Sequence, residues 1–92
     1  MEFDWDFSNL EHIARHKVEQ TEAEEAATDP AAIVAENVHR GSNGQRRFGL
    51  IGATEDGRVL FVVLEERRDM FRVVTAYTAE AEDRAAYYAQ EE

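Results

Sequence analysis

Between Arg47 and Tyr77 the chain reads R-x-x-x-I-G, then G-R-x-L-x-V-V-x-x-x-R, then R-V-V-T-A-Y, three strand-like runs in succession with turn chemistry between them. Such a run admits little besides an antiparallel meander. Glu55-Asp56-Gly57-Arg58 carries the Asp-Gly dipeptide that suits a two-residue type I′ hairpin, in which both central residues take positive φ. On that register Glu55 faces Arg58, Gly52 faces Phe61, Leu50 faces Val63 and Phe48 faces Glu65, with Arg47 on the other side of the sheet. The polar stretch Glu66-Arg67-Arg68-Asp69 places a second reversal at 67 and 68. Val63 then faces Arg72, and Arg58 faces Tyr77. Arg72 shares a side with Phe48 and Leu50, and Tyr77 points to the opposite side unless a bulge intervenes.

The strand ends matter more than the faces. If Ile33 to Val38 is the preceding strand, the loop that follows it lies at the same end of the sheet as the second reversal. Arg40, Arg46, Arg47, Arg67, Arg68 and Arg72 then form one basic pole, with His39 beside them.

Glu2 to Trp5 suits a short edge strand. Ser8-Asn9-Leu10-Glu11 reads as a capping box opening a helix that runs to about Lys17, with Leu10, Ile13, Ala14 and Val18 as its apolar stripe. Thr21-Glu22-Ala23-Glu24 reads as a second capping box, and Asp29-Pro30 stops the alanine-rich helix it opens. Thr78 caps a last helix with Glu80 and Glu82 in its first turn and Ala81, Ala85 and Tyr88 as its buried stripe. Val59 to Leu64 is apolar on both faces, so the side carrying Leu60, Val62, Leu64, Phe71 and Val73 is a candidate docking face for a partner. The expected fold is α+β, of order β-α-α-β-β-β-β-α: an antiparallel meander with two N-terminal helices and one C-terminal helix, spanning residues 1–92 as one domain.

Charge narrows the function classes. The net charge is −10, but residues 1–38 hold two basic and ten acidic side chains, residues 39–72 seven and five, and residues 73–92 one and five. An acidic body with one basic pole suits a basic protein partner, and binds RNA only at the pole. The absence of cysteine removes disulfides and thiolate chemistry and fits a reducing cytoplasm. The longest apolar run, Val59 to Leu64, is far too short to span a bilayer, and the first residues carry no signal-peptide pattern. No membrane association and a cytoplasmic location are therefore expected.

In order along the chain, these motifs resemble the BrnT family, the toxin half of BrnT/BrnA toxin–antitoxin pairs, whose fold is similar to that of RelE-type ribonucleases. Phe3-Asp4-Trp5-Asp6 resembles the family's opening F-x-W-D, and Asn9 with Arg15-His16-Lys17-Val18 resembles its N and K-H-G-V elements, with Lys17 where glycine is usual. His39 stands near its D-H. Arg47 to Gly52 is similar to E-R-x-x-x-I/L-G, with Arg46 replacing the glutamate. Gly57-Arg58, Leu60, Val62-Val63 and Arg67 resemble G-R-x-L-x-V-V-x-T-x-R, with Glu65 in place of threonine, and Arg72 to Tyr77 resembles R-I-I-S-A-R, with Tyr77 in place of the final arginine. The resemblance implies a metal-independent endoribonuclease, without cofactor, neutralised by a BrnA-type antitoxin that carries a ribbon-helix-helix DNA-binding domain.

Metal-independent RNA cleavage uses the substrate's 2′-hydroxyl as nucleophile, so the protein supplies a proton acceptor, a proton donor and cationic donors to the phosphorane. Arginine suits the last role because its planar fork binds two phosphate oxygens and stays charged. Arg47, Arg67 and Arg72 are the stabiliser candidates, with Arg40, Arg46 and Arg68 as RNA-binding residues. The competing reading makes them solvated turn and edge residues. His39 is the acid or base candidate, and Tyr77 is either an alternative acid or a ring capping the apolar face. His12 and His16 stand one helical turn apart, but Ile13 occupies the position where a zinc-protease motif needs glutamate, and no metal site is expected. The alternative to a nuclease is a catalytically inactive module that pairs with a basic antitoxin-like partner or forms a homodimer, favoured by the acidic charge and by the Arg46 and Tyr77 departures.

Overall fold

A computed structural model describes residues 1–37 and 44–90. Helices α1 (Phe7–Ala14) and α2 (Gln20–Ala27) precede strands β1 (Ile33–Asn37), β2 (Arg47–Ala53), β3 (Val59–Glu66) and β4 (Phe71–Thr78), and helix α3 (Ala81–Ala89) closes the order. The strands form one antiparallel sheet in the order β1-β2-β3-β4. The expected α+β meander is therefore the fold. The N-terminal segment adds to β4 through a single parallel bridge, Phe3 to Phe71, with Asp4 N donating to Phe71 O and Phe71 N to Glu2 O, each at 2.9 Å.

All three helix starts differ from the expected caps. Asp6, not Ser8, caps α1: its carboxylate accepts from Asn9 N at 2.9 Å. Glu19 is the N-cap of α2, with its amide donating to the Glu22 carboxylate at 3.0 Å, so the capping box sits two residues earlier than Thr21. Glu80 rather than Thr78 is the N-cap of α3. On α3 the buried side chain is Tyr87, while Ala81, Ala85 and Tyr88 are exposed. On α1, Ala14 is exposed and Ile13 and Val18 are buried.

The end of α1 explains the departure at Lys17. Val18 N bonds Ile13 O at 3.1 Å and Lys17 N bonds Ala14 O at 2.9 Å, the paired closure of a Schellman turn, with Ile13 and Val18 as its apolar contact. That closure needs a left-handed residue, and Lys17 takes φ 61°. A lysine there bears a steric cost of about 1 kcal/mol that glycine does not. Lys17→Gly is therefore expected to raise stability by about 0.5–1 kcal/mol, read as a higher urea midpoint at unchanged slope.

The first hairpin loop has three residues, not two. Ala53 pairs with Val59, Thr54 N donates to Arg58 O at 2.9 Å, and the Thr54 hydroxyl accepts from Arg58 N at 3.0 Å. Only Gly57 of the loop takes positive φ, at 87°. A type I′ turn would force Asp56 into the left-handed region, whereas the longer loop needs glycine alone there and lets Thr54 satisfy an amide. The whole register moves by one: Arg47 faces Glu65, Phe48 faces Leu64, Gly49 faces Val63, Ile51 faces Phe61 and Gly52 faces Leu60.

The second connection turns one residue later than expected. Glu66 pairs with Phe71, and Arg67 N bonds Met70 O at 2.9 Å, which leaves Arg68 and Asp69 as the turn. The register then shifts between Val63 and Leu64: Leu64 faces Val73 but Val63 faces Thr75, so Val74 is a bulged residue. Asn9, buried under α1, donates from Nδ2 to Val73 O at 3.0 Å and so ties the helix to the bulge. Arg72 faces Glu65, not Val63, and Tyr77 faces Phe61, not Arg58. The one-residue shift of the first hairpin puts Glu65, and with it Arg72, on the side opposite Phe48 and Leu50, and the bulge, which reverses the alternation along β4, brings Tyr77 to that same side.

One face of the sheet packs Leu50, Leu60, Val62, Leu64, Val73 and Ala76 against Ile13, Val18, Ala23, Ala26 and Ala27 of the helical layer, with Phe3, Trp5, Phe48 and Phe71 at its border. The expected docking face is this one. Leu60, Val62, Leu64 and Val73 are all fully buried, because α1 and α2 need the apolar face that a partner was expected to cover. On the opposite face α3 covers one end, where Tyr87 packs with Ile51 and Val59. None of the helices among the described residues is long and apolar enough to cross a membrane.

Asp29 fastens the α2–β1 corner to both neighbours. Its carboxylate accepts from Ala31 N and Ala53 N, each at 2.9 Å, and from the Tyr87 hydroxyl. Burial alone would raise its pKa, but these three donors outweigh that and hold it below the ordinary carboxylate value. A depressed folded-state pKa contributes stability above the unfolded value, which is lost as pH falls through the folded value. Asp29→Asn is expected to cost about 1–3 kcal/mol at neutral pH and to flatten the loss of stability in the acid range below pH ~4. Urea titrations of both proteins at several pH values check this, and parallel pH curves would disprove it.

Candidate nucleic-acid interface

The open end of the second face carries a chain of alternating charges built across adjacent strands. Arg47 on β2 donates from Nε to Glu65 Oε1 at 2.8 Å, and Arg67, just past β3, donates from Nε to Glu65 Oε2 at 2.8 Å. Arg67 Nη1 reaches Asp4 Oδ2 at 3.4 Å, and Arg72 on β4 reaches Asp4 at 3.8 Å and Asp6 Oδ2 at 2.8 Å. Three arginines and three carboxylates thus alternate along one line.

The sequence builds this line through the period of two in extended chain. In the N-terminal segment Phe3 and Trp5 turn toward the helical layer, where Trp5 Nε1 donates to Glu24 at 2.7 Å, so Asp4 and Asp6 turn toward the arginines. Glu65 and Arg67 share a side by the same rule, and Arg72, the cross-strand partner of Glu65 on β4, shares it too. Glu65 is the buried member, with a side chain only 4% exposed against 27% for Arg47 and 39% for Arg67. Burial raises the Glu65 pKa, but the hydrogen bonds and charges of Arg47 and Arg67 win and hold it below its ordinary value. Asp6 is lowered first by the Asn9 amide and then by Arg72.

Of the six arginines expected at one pole, Arg47, Arg67 and Arg72 are together on this face. Arg46 is at the same end but on the other side of the sheet, where it pairs with Glu66 at 3.2 Å and lies 5.3 Å over the Phe48 ring. Arg68 is exposed in the turn. His39 and Arg40 lie outside the described residues. Tyr77 shares the face with Arg72 but, with one of the five positions between them taken up by the bulge, stands four ladder positions away, roughly 13 Å at ~3.3 Å per residue. Its ring stacks on Phe61 at 5.4 Å and 8° and approaches His16 at 5.8 Å. Burial, then Glu80 and Asp83, raise its pKa, so the phenol keeps its proton at neutral pH.

Sequence reading missed Glu65 as a site residue and noticed it only as a departure from a pattern. The spacing Glu65-x-Arg67 was the available signal, but the shifted register concealed that Arg47 is its cross-strand partner. Arg58 is a structural latch: its guanidinium donates to Lys17 O at 2.8 Å, the Glu22 carboxylate at 3.2 Å and Thr78 Oγ1 at 2.9 Å, which joins α1, α2 and β4. His12 and His16 rings are 5.6 Å apart, edge to face, and no group of three metal-ligating side chains converges among the described residues.

No curated protein matches the chain. A family model described as ribonuclease toxin, BrnT, of type II toxin-antitoxin system matches residues 5–83, from Trp5 through all four strands and into α3. That span contains Glu65 and the three arginines joined to it directly or through Asp4, and the chain belongs to the BrnT family of ribonuclease toxins of type II toxin–antitoxin systems.

Proposed function

We propose that the open face of the sheet binds single-stranded RNA and cleaves it without a metal ion, through attack of the substrate's own 2′-hydroxyl on the adjacent phosphorus. The products are a 2′,3′-cyclic phosphate and a 5′-hydroxyl. The observation that carries this reading is the convergence of Arg47, Arg67 and Arg72 on one face. Guanidinium groups held by carboxylates are pre-oriented donors, and such donors act where charge develops on the phosphorane. Arg68 and Arg46 add to the attraction for the RNA backbone at this end. Tyr77, protonated at neutral pH, is the acid candidate on the same face, and His39 is the remaining candidate for proton transfer.

A cognate antitoxin follows from the family, and we infer a BrnA-type protein with a ribbon-helix-helix domain whose basic surface meets the acidic helical layer. Toxin and antitoxin would meet in the cytoplasm. The test is to incubate purified protein with a labelled RNA in excess chelator and to analyse the ends. Cyclic-phosphate ends, and growth arrest on induction that the neighbouring antitoxin gene relieves, support the reading. Products carrying a 5′-phosphate contradict it.

One observation favours a second reading, an inactive module that pairs with the antitoxin or with a second copy: every one of the three arginines already has a carboxylate partner, so the cluster carries no net charge. Intact RNA and normal growth after induction, with the antitoxin complex still formed, would select it.

A further inference from the structure

Both contacts of Glu65 are made with Nε of an arginine, one to each carboxylate oxygen. Held at Nε, a guanidinium keeps its four Nη–H donors for something else while its plane is fixed. Among the described residues the Arg47 Nη atoms have no hydrogen-bond partner, and Arg67 Nη1 has only the longer contact to Asp4 at 3.4 Å. We infer that Glu65 is a positioning residue that seats Arg47 and Arg67 as two facing forks around one RNA phosphate. The inference rests on the nuclease reading above and names the part of the RNA held there: a phosphodiester, gripped from two sides, with no base read.

The arrangement belongs to this chain. A threonine at position 65, as in the pattern the sequence resembles, has one neutral, shorter-reaching oxygen for both Nε–H groups, whereas the Glu65 carboxylate gives each arginine its own charged oxygen. The carboxylate also cancels one unit of positive charge beside the phosphate. Glu65 therefore trades pull for geometry, and removing its charge separates the two. Glu65→Gln keeps the size and one acceptor oxygen, turns an amide N–H₂ toward the second arginine, and leaves the site one unit more positive.

The experiment measures single-turnover cleavage of a ribo-oligonucleotide, and the affinity of the same sequence made with 2′-deoxy sugars, for wild type and Glu65→Gln at several salt concentrations. The expected result is equal or tighter binding by the variant, a steeper salt dependence by about one charge, and a cleavage rate at least about tenfold lower at saturating RNA. Cleavage within about twofold of wild type overturns the inference, and so does weaker binding together with slower cleavage, which is the signature of a merely structural role.

Where Glu65→Gln fails to fold, arginine side-chain NMR of the wild type decides. Two Nε–H signals protected from solvent exchange, retained when the deoxy oligonucleotide binds while the Nη signals shift, support the pincer. Loss of that protection on binding overturns it. Should wild type cleave no RNA at all, the nuclease reading fails by itself, and the same NMR titration still decides whether a phosphodiester sits between the two forks.

Discussion

Arg47→Ala is expected to slow RNA cleavage by about 10²–10³-fold at saturating substrate, the loss typical of removing one preorganised donor to a developing oxyanion. Arg47 has the strongest claim because its Nε is bound to a buried carboxylate while its Nη atoms have no partner among the described residues. The variant leaves Glu65 with Arg67 alone, so part of any loss in activity would come from weakened folding. Arg47→Lys separates the two effects: it restores the charge next to Glu65 but not the planar fork, and is expected to recover stability while cleavage stays at least about tenfold down. Arg84→Ala serves as control, since among the described residues Arg84 reaches only Ala79 O, at 3.4 Å, at the start of α3. Rates for wild type and the three variants, each with a melting curve, decide the matter. An Arg47→Ala protein that cleaves within about threefold of wild type would remove Arg47 from the site.

Gly52→Ala is expected to destabilise the fold by about 3 kcal/mol or more. An ideal Cβ at Gly52 would stand 2.1 Å from Ala26 O and 3.0 Å from Ala26 C. Both are backbone atoms of α2, so the helix or β2 must move, and overpacking that shifts backbone lies at or beyond the upper end of its usual range. A domain of this size has only about 5–10 kcal/mol in total, and its melting temperature would fall by about 4–8 °C for each kcal/mol lost. Gly49→Ala makes a useful contrast. There the obstacle is the Phe61 ring at 2.5 Å, a side chain that can turn, so the loss is expected to be smaller and to show as displacement of Phe61 from its stack on Tyr77. Urea unfolding of both variants tests the pair. A Gly52→Ala protein within about 1 kcal/mol of wild type would mean that α2 and β2 are not held this close.

Local chemistry accounts for how much could be read before any coordinates. Asp-Gly and the polar stretch after Glu66 mark reversals, Asp29-Pro30 stops a helix, and alternation in Phe3-Asp4-Trp5-Asp6 separates an apolar from an acidic side. Each of these acts over a few residues, so the α+β meander, the family and the meeting of Arg47, Arg67 and Arg72 at one end of the sheet were all within reach. Helix caps were within reach only approximately, because Asp6 and Ser8, and likewise Glu19 and Thr21, are chemically similar acceptors two residues apart.

Which side of the sheet each arginine occupies was not within reach, because side-chain direction alternates and a single added residue reverses it. Two such additions decide this protein. The Thr54 hydroxyl stabilises a three-residue loop where Asp-Gly alone suggested two, and Asn9, on α1, bonds the carbonyl of Val73 beside the bulge at Val74. The Asn9 bond spans 64 residues and leaves no mark in the local pattern of β4. From the first follow the Arg47–Glu65 pair and the turning of Arg72 toward Asp4 and Asp6, and with the second goes the placing of Tyr77 on the same face as Arg72. The chain's own residues therefore specify that arginines gather at one pole. Their division between two faces, and the carboxylates that hold them, come from the register that the first hairpin closes and from the docking of the N-terminal segment on β4.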